Sequence, residues 1–136
     1  MKGLIVNIDV PDLQAATSFY QDGLGFEMRR TLFGGTVAEL SAGGVAVYLI
    51  EQGQGTKAVL NSSLVRNYSN HWTPVHLDIL VEDMEASLAK ALAAGATQSG
   101  DLSRNEWGNL AALRDPFGHG VCLLEFVGSG YDAVAD

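Results

Sequence analysis

Ile8-Asp9-Val10-Pro11-Asp12-Leu13-Gln14-Ala15 returns 71 residues further on as Ile79-Leu80-Val81-Glu82-Asp83-Met84-Glu85-Ala86. In each copy a strand-like run ends at an aspartate, and a run with helical spacing begins. Asp12 and Asp83 are therefore read as helix N-caps, since a carboxylate there accepts from N–H groups that the first turn leaves unpaired. A second correspondence follows at an offset of 74, where residues 38–51 align with residues 112–125. It is closest at Val47-Tyr48-Leu49-Ile50-Glu51 against Val121-Cys122-Leu123-Leu124-Glu125. Phe33-Gly34 likewise falls on Trp107-Gly108. Matches that keep their order along the chain are the mark of one supersecondary unit used twice.

Each copy reads βαβββ. In the first, a strand over residues 4–10 leads to a helix with Leu13, Ala16, Phe19 and Tyr20 at helical spacing, ending near Gly23 to Gly25. Strands follow at about residues 26–32, 36–41 and 45–51. In the second, a strand over residues 75–81 leads to a helix with Met84, Leu88, Ala91 and Leu92, ending at Gly95. Its remaining strands are expected at about residues 97–102, 109–115 and 121–127. The fold class is α+β: two tandem modules, at about residues 3–52 and 74–127, forming a curved mixed sheet around a cavity within one domain. Residues 53–73 form a polar connector, and residues 128–136 are expected to be a loose tail.

Alternation assigns the faces, because successive side chains of a strand point to opposite sides. Val6, Ile8, Val10, Val47, Leu49, Leu77, Ile79, Val81, Val121 and Leu123 share a wholly apolar face that must lie under the helices. The opposite face mixes Ile5, Asn7, Asp9, Tyr48, His76, Asp78, Cys122 and Leu124. A half-polar concave face suits a ligand better than a dry core.

Composition narrows the function. The chain has 136 residues, 47% hydrophobic and 18% charged, so it can bury a core. Sixteen acidic against eight basic residues leave a net charge of −8, with only Arg29-Arg30 adjacent. That distribution excludes the basic patch a nucleic acid partner requires. No apolar run is long enough to span a bilayer, so no membrane partner is expected. The single cysteine, Cys122, cannot close an internal disulfide, and Met1-Lys2-Gly3 runs straight into a strand without a leader pattern. A cytoplasmic location is expected.

Val10-Pro11-Asp12-Leu13, Phe19-Tyr20 and Leu24-Gly25-Phe26 resemble the opening of the modules of the vicinal oxygen chelate superfamily. This is the superfamily of glyoxalase, bleomycin-resistance and ring-cleaving dioxygenase proteins. His76-Leu77-Asp78, Val81-Glu82-Asp83, Ala94-Gly95-Ala96 and Asp115-Pro116-Phe117-Gly118-His119 resemble its second module with the Asp-Pro-x-Gly hairpin. The resemblance covers about residues 4–127. It implies a metal held by one side chain from the first and one from the last strand of each module, here Ile5, Tyr48, His76 and Cys122. Only His76 is a customary ligand there. No cofactor is therefore expected, with a divalent metal as the alternative. The resemblance also implies a homodimer.

The candidate ligand-binding residues are Asn7, Tyr48, His76, Asp78 and Cys122, with Phe33, Trp107 and Trp72 as aromatic groups for stacking on a flat ligand. His76 is the candidate for proton transfer, oriented by Asp78 two residues on. Cys122 is read chiefly as a small hydrophobe. His71 and His119 are read as rim residues, and Glu51 as solvated. The expected function is binding of a small organic molecule in the sheet cavity without the usual metal centre. The alternatives are a metal-dependent lyase or dioxygenase of the same superfamily, and a non-catalytic interaction or regulatory subunit.

Overall fold

Both caps form. In the computed structural model, which describes residues 1–69, 71 and 73–136, Asp12 accepts from the Ala15 amide and Asp83 from the Ala86 amide, each at 2.9 Å. The helices they start are α1 (Leu13–Ser18), continued by a π-helical turn over Phe19–Gly23, and α2 (Met84–Ala93). The strands are β1 (Ile5–Val10), β2 (Glu27–Leu32), β3 (Val37–Ala42), β4 (Val45–Glu51), β5 (Leu77–Leu80), β6 (Thr97–Gln98), β7 (Ser103–Arg104), β8 (Gly108–Arg114) and β9 (Gly120–Phe126). No helix among the described residues is long and apolar enough to cross a membrane.

The chain divides into two compact units, Met1–Ser69 and Asn70–Asp136. The first holds a sheet in the order β1-β4-β3-β2, and the second one in the order β5-β9-β8-β6, with β7 also on β8. In each, the first and last strands are parallel neighbours, which a βαβββ path allows because the helix supplies the crossover. Asn7 faces Tyr48 in the first unit, and Asp78 faces Cys122 in the second. These two pairs differ by the offsets of 71 and 74 read from the sequence. The third strand departs by one residue: Tyr48 pairs with Glu39 but Cys122 pairs with Ala112, an offset of 73. The physical reason is the hairpin, since Asp115 to His119 makes a longer turn than Gly43-Gly44.

The apolar face packs as the alternation predicts at Val10, Val47, Leu49, Val121 and Leu123, while Val6, Ile8, Leu77, Ile79 and Val81 are only half-buried and Leu124, assigned to the opposite face, is buried. Val10, Leu40, Val47 and Leu49 are buried with Leu13, Ala16, Phe19 and Tyr20 in the first unit. Ala111, Leu113, Val121 and Leu123 are buried in the second, as are Met84 and Ala91 of α2. The last strand of each unit also reaches the helix start. Glu125 accepts from the Met84 amide at 3.1 Å and from Asn109 Nδ2 at 2.5 Å, and Glu51 accepts from the Leu13 amide at 3.3 Å. Glu51 is thus exposed yet bonded, and not merely solvated. Gly108 is a position only glycine fits, because a Cβ there would lie 2.5 Å from the Glu125 carbonyl oxygen.

Three expectations change. The strand expected over residues 97–102 is two short pieces, because Gly100 takes φ 81° and residues between Gln98 and Ser103 bulge out of the ladder on β8. The strand expected from residue 75 begins at Leu77, since Thr73 Oγ1 ties the Val75 carbonyl into a turn at 2.5 Å. The tail is not loose. Gly130–Val134 forms a 3-10 turn, and Tyr131 packs on Phe126 and Trp107 with ring centroids 4.8 and 5.2 Å away.

Candidate functional site

In the second unit the parallel register of β5 and β9 sets Asp78 and Cys122 side by side on the face away from α2. His76 lies two residues before Asp78, just ahead of the strand, and its Nε2 is 3.4 Å from Asp78 Oδ1. Ligand atoms of His76, Asp78 and Cys122 all fall within 4.8 Å of one another. Burial pushes the Cys122 thiol above its ordinary range, and the Asp78 charge and a hydrogen bond to that carboxylate push it the same way. A thiol raised in this way is the opposite of an activated nucleophile. The His76–Asp78 contact, with side chains 55% and 37% exposed, contributes little to stability but orients the imidazole.

A cavity of about 230 Å³ opens against this row, with His71, His76, Ser99, Ala112, Arg114 and Cys122 among its walls. The Asp-Pro-x-Gly hairpin shapes one side. Buried Asp115 accepts from the Phe117 and His119 amides, both at 2.9 Å, which holds the turn closed. Arg114 Nη1 donates to the Gly118 carbonyl at 3.0 Å and to the His71 carbonyl. His119 Nδ1 lies 3.1 Å from His71 Nε2, so one ring donates and the other accepts. His71 is thus a wall residue, which the polarity of the connector had concealed. Arg114 makes this wall cationic. It ends a strand whose alternate residues are apolar, so nothing local marked it.

The equivalent row in the first unit runs Asn7, Tyr48, Glu39, Arg30 across four strands. Arg30 Nε donates to Glu39 Oε2 at 2.6 Å, which raises the Arg30 guanidinium further. Ile5 pairs with Ala46 and is exposed. Asp9, on the same face, is held by Arg66 of the connector at 2.6 Å. Phe33 is exposed with φ 52°, a left-handed conformation rare for an aromatic residue. Trp107 instead stacks on Tyr131 and is not a wall of the 230 Å³ cavity. Trp72 lies outside the described residues.

Two βαβββ units with matching first-to-last strand registers, each with a polar face opposite its helix, define the paired-module class of the vicinal oxygen chelate superfamily. The chain belongs to the glyoxalase-like domain family, whose model matches residues 5–124. Among solved structures it is similar to the fosfomycin resistance protein FosX from Listeria monocytogenes, at 16% identity and TM-score 0.71, covering 93% of this chain and 95% of that one. It is also similar to a glyoxalase/bleomycin resistance protein/dioxygenase family enzyme from Burkholderia phytofirmans PsJN, at 18% identity and TM-score 0.67, covering 90% and 97%. A glyoxalase/bleomycin resistance protein/dioxygenase from Alicyclobacillus acidocaldarius matches at 19% identity and TM-score 0.63, covering 93% and 92%. At these identities the likeness shows the fold alone. No curated protein matches the chain.

One FosX structure is a complex with manganese(II) and sulfate. The positions that the superfamily pattern assigns to a metal do not fit such a hard ion here. Ile5 has no donor atom, and Cys122 offers a soft sulfur where a hard ion needs oxygen.

Proposed function

We propose that this chain binds a small polar organic molecule in the cavity of its second unit, without the hard-ion metal centre of the superfamily. The observation that carries this reading is the convergence of an imidazole, a thiol beside a carboxylate and a guanidinium on one cavity of about 230 Å³. Such a site presents His76 and Arg114 to an anionic or hydrogen-bond-accepting group, while Ala112 and the Cys122 thiol offer an apolar wall. Asp78 fixes His76 and Cys122, so it sets which donors face the ligand. Asn7 and Tyr48, at the equivalent positions of the first unit, are the candidate recognition residues of that unit's own open face. His76 is the group for any proton transfer. The working form is a cytoplasmic homodimer, which sedimentation analysis checks directly.

The test is a thermal-shift screen of small organic acids and related polar molecules on the full chain in chelator. A molecule that binds the native state at 100 times its Kd stabilises it by about 2.7 kcal/mol. Binding weakened about tenfold by His76→Ala or Asp78→Asn supports the reading. Hits unaffected by both substitutions, or by Arg114→Gln, would place the site elsewhere.

A further inference from the structure

We propose that the first unit carries a binding site on the helix side of its sheet, for a small organic cation with an ammonium or guanidinium group. A groove of about 560 Å³ lies between α1 and strands β2 and β3. Leu13, Met28 and Ala38 supply its apolar part, and Thr17 of α1 and Thr31 of β2 add hydroxyls from its two sides. Asp12 and Glu51 border it at the start of α1. The ladder puts the strand residues on one face, with Met28 opposite Leu40, Thr31 opposite Ala38 and Ala38 opposite Leu49. That is the side of the sheet away from Tyr48.

The repeat identifies the chemistry of the occupant. Glu51 and Glu125 are equivalent, and each accepts from the first amide of its helix. In the second unit the other oxygen of Glu125 takes a bond from Asn109 Nδ2 at 2.5 Å, and Arg104 of β7 reaches Glu85 of α2 at 3.5 Å. An amide and a guanidinium of the chain itself thus serve the carboxylates there. In the first unit Thr36 stands opposite Glu51 as Asn109 stands opposite Glu125, its carbonyl accepting from the Glu51 amide at 2.9 Å. The Thr36 hydroxyl turns away and donates to the Phe33 carbonyl at 3.0 Å, and Gln14 stands where the second unit has Glu85. Among the described residues, no N–H group meets Glu51 Oε2, the oxygen that its counterpart in Glu125 shares with Asn109. A ligand N–H completes the same arrangement from outside.

The sign of the ligand follows from the same bonds. The first-turn amides that would draw an anion are spent, the Leu13 N–H on Glu51 and the Ala15 N–H on Asp12. Two carboxylates remain, and the chain's net charge of −8 favours a cation as well. The volume of the groove, its hydroxyls and its apolar part suit an organic body attached to that cation better than a bare ion. The site goes beyond binding in the cavity of the second unit and does not depend on it.

The experiment follows the backbone amides of the isotope-labelled full chain by NMR during titration with agmatine, which has an ammonium at one end and a guanidinium at the other. A pentanediol of similar length is the neutral control. Agmatine should shift the amides of Leu13, Gln14, Thr17 and Thr31 saturably, and the diol should not. Glu51→Gln should weaken agmatine binding about tenfold, the loss expected for one charge-assisted hydrogen bond. Thr36→Asn gives the first unit the carboxamide of the second and should weaken binding by as much, a readout that stands if Glu51→Gln loosens α1. Agmatine affinity within twofold of the parent in both variants, equal binding of the diol, or shifts spread evenly over the acidic residues of the chain would each overturn the proposal.

Discussion

Replacing Glu125 by alanine should destabilise the second unit far more than the matching change at Glu51 destabilises the first. The two residues are equivalents in the repeat, and both accept from the first amide of a helix. Glu125 accepts at 3.1 Å and takes a second bond from Asn109 at 2.5 Å, whereas Glu51 accepts once, at 3.3 Å. A hydrogen bond to a charged group contributes about 1.5–3 kcal/mol, less where it is partly solvated. A negative charge at a helix start adds about 0.3–1 kcal/mol. Two short bonds and the helix field therefore put Glu125→Ala at about 2–3 kcal/mol, against about 1 kcal/mol for Glu51→Ala. At roughly 3–4 °C per kcal/mol, the first lowers Tm by about 6–12 °C and the second by about 3–4 °C. Glu125→Gln keeps an acceptor without the charge and should fall between them. Thermal unfolding followed by circular dichroism gives the ranking, and amide exchange at Met84 localises the loss. Equal effects at Glu125 and Glu51, or a Glu125→Ala cost below about 0.5 kcal/mol, would refute this account of how β9 is fastened to α2.

Asp78→Asn removes the charge that helps hold Cys122 protonated, so alkylation of this thiol should begin at lower pH and run faster at neutral pH. Arg114 and His76 also border the thiol's cavity, and pH–rate profiles of His76→Ala and Arg114→Gln separate their effects. Because the Cys122 thiol is raised in the folded chain, its contribution to stability is complete below the ordinary thiol range. That contribution is lost as pH rises through the raised value, and a Cys122→Ala variant should lack this alkaline step in its melting curve. Gly108→Ala forces a methyl toward the Glu125 carbonyl and should cost about 1–3 kcal/mol by thermal unfolding. Tyr131→Ala uncovers the Trp107 and Phe126 rings, and a red-shifted tryptophan emission with less than about 1.5 kcal/mol lost is the expected outcome.

Much of the fold was legible because it rests on short-range rules. Asp12 and Asp83 announce helix starts through their own side chains, and alternation in β4 and β9 names the buried face without reference to any partner. The repeat then supplied a long-range fact that periodicity lacks, that the two halves share one plan, while the neighbouring of the first and last strands came from the structure. The repeat also equated Asn7 with Asp78 and Tyr48 with Cys122 across the two copies, and the structure then set Asn7 against Tyr48 and Asp78 against Cys122.

What the chain alone determined is the order and type of its elements, most of the face each strand buries and which residues of the two copies are equivalent. Those follow from backbone stereochemistry and solvent preference, which act within a few residues. Tertiary structure decided the rest, because it depends on contacts between residues far apart in sequence. It turned the Cys122 thiol toward Asp78, brought His71 against His119 across 48 residues and lent the Arg114 guanidinium to a cavity wall. It shifted β8 by one residue through a longer hairpin, and it laid Tyr131 of the tail against the Trp107 ring. No side-chain pattern reports such events, for each is the outcome of competition among partners that only the folded chain brings together.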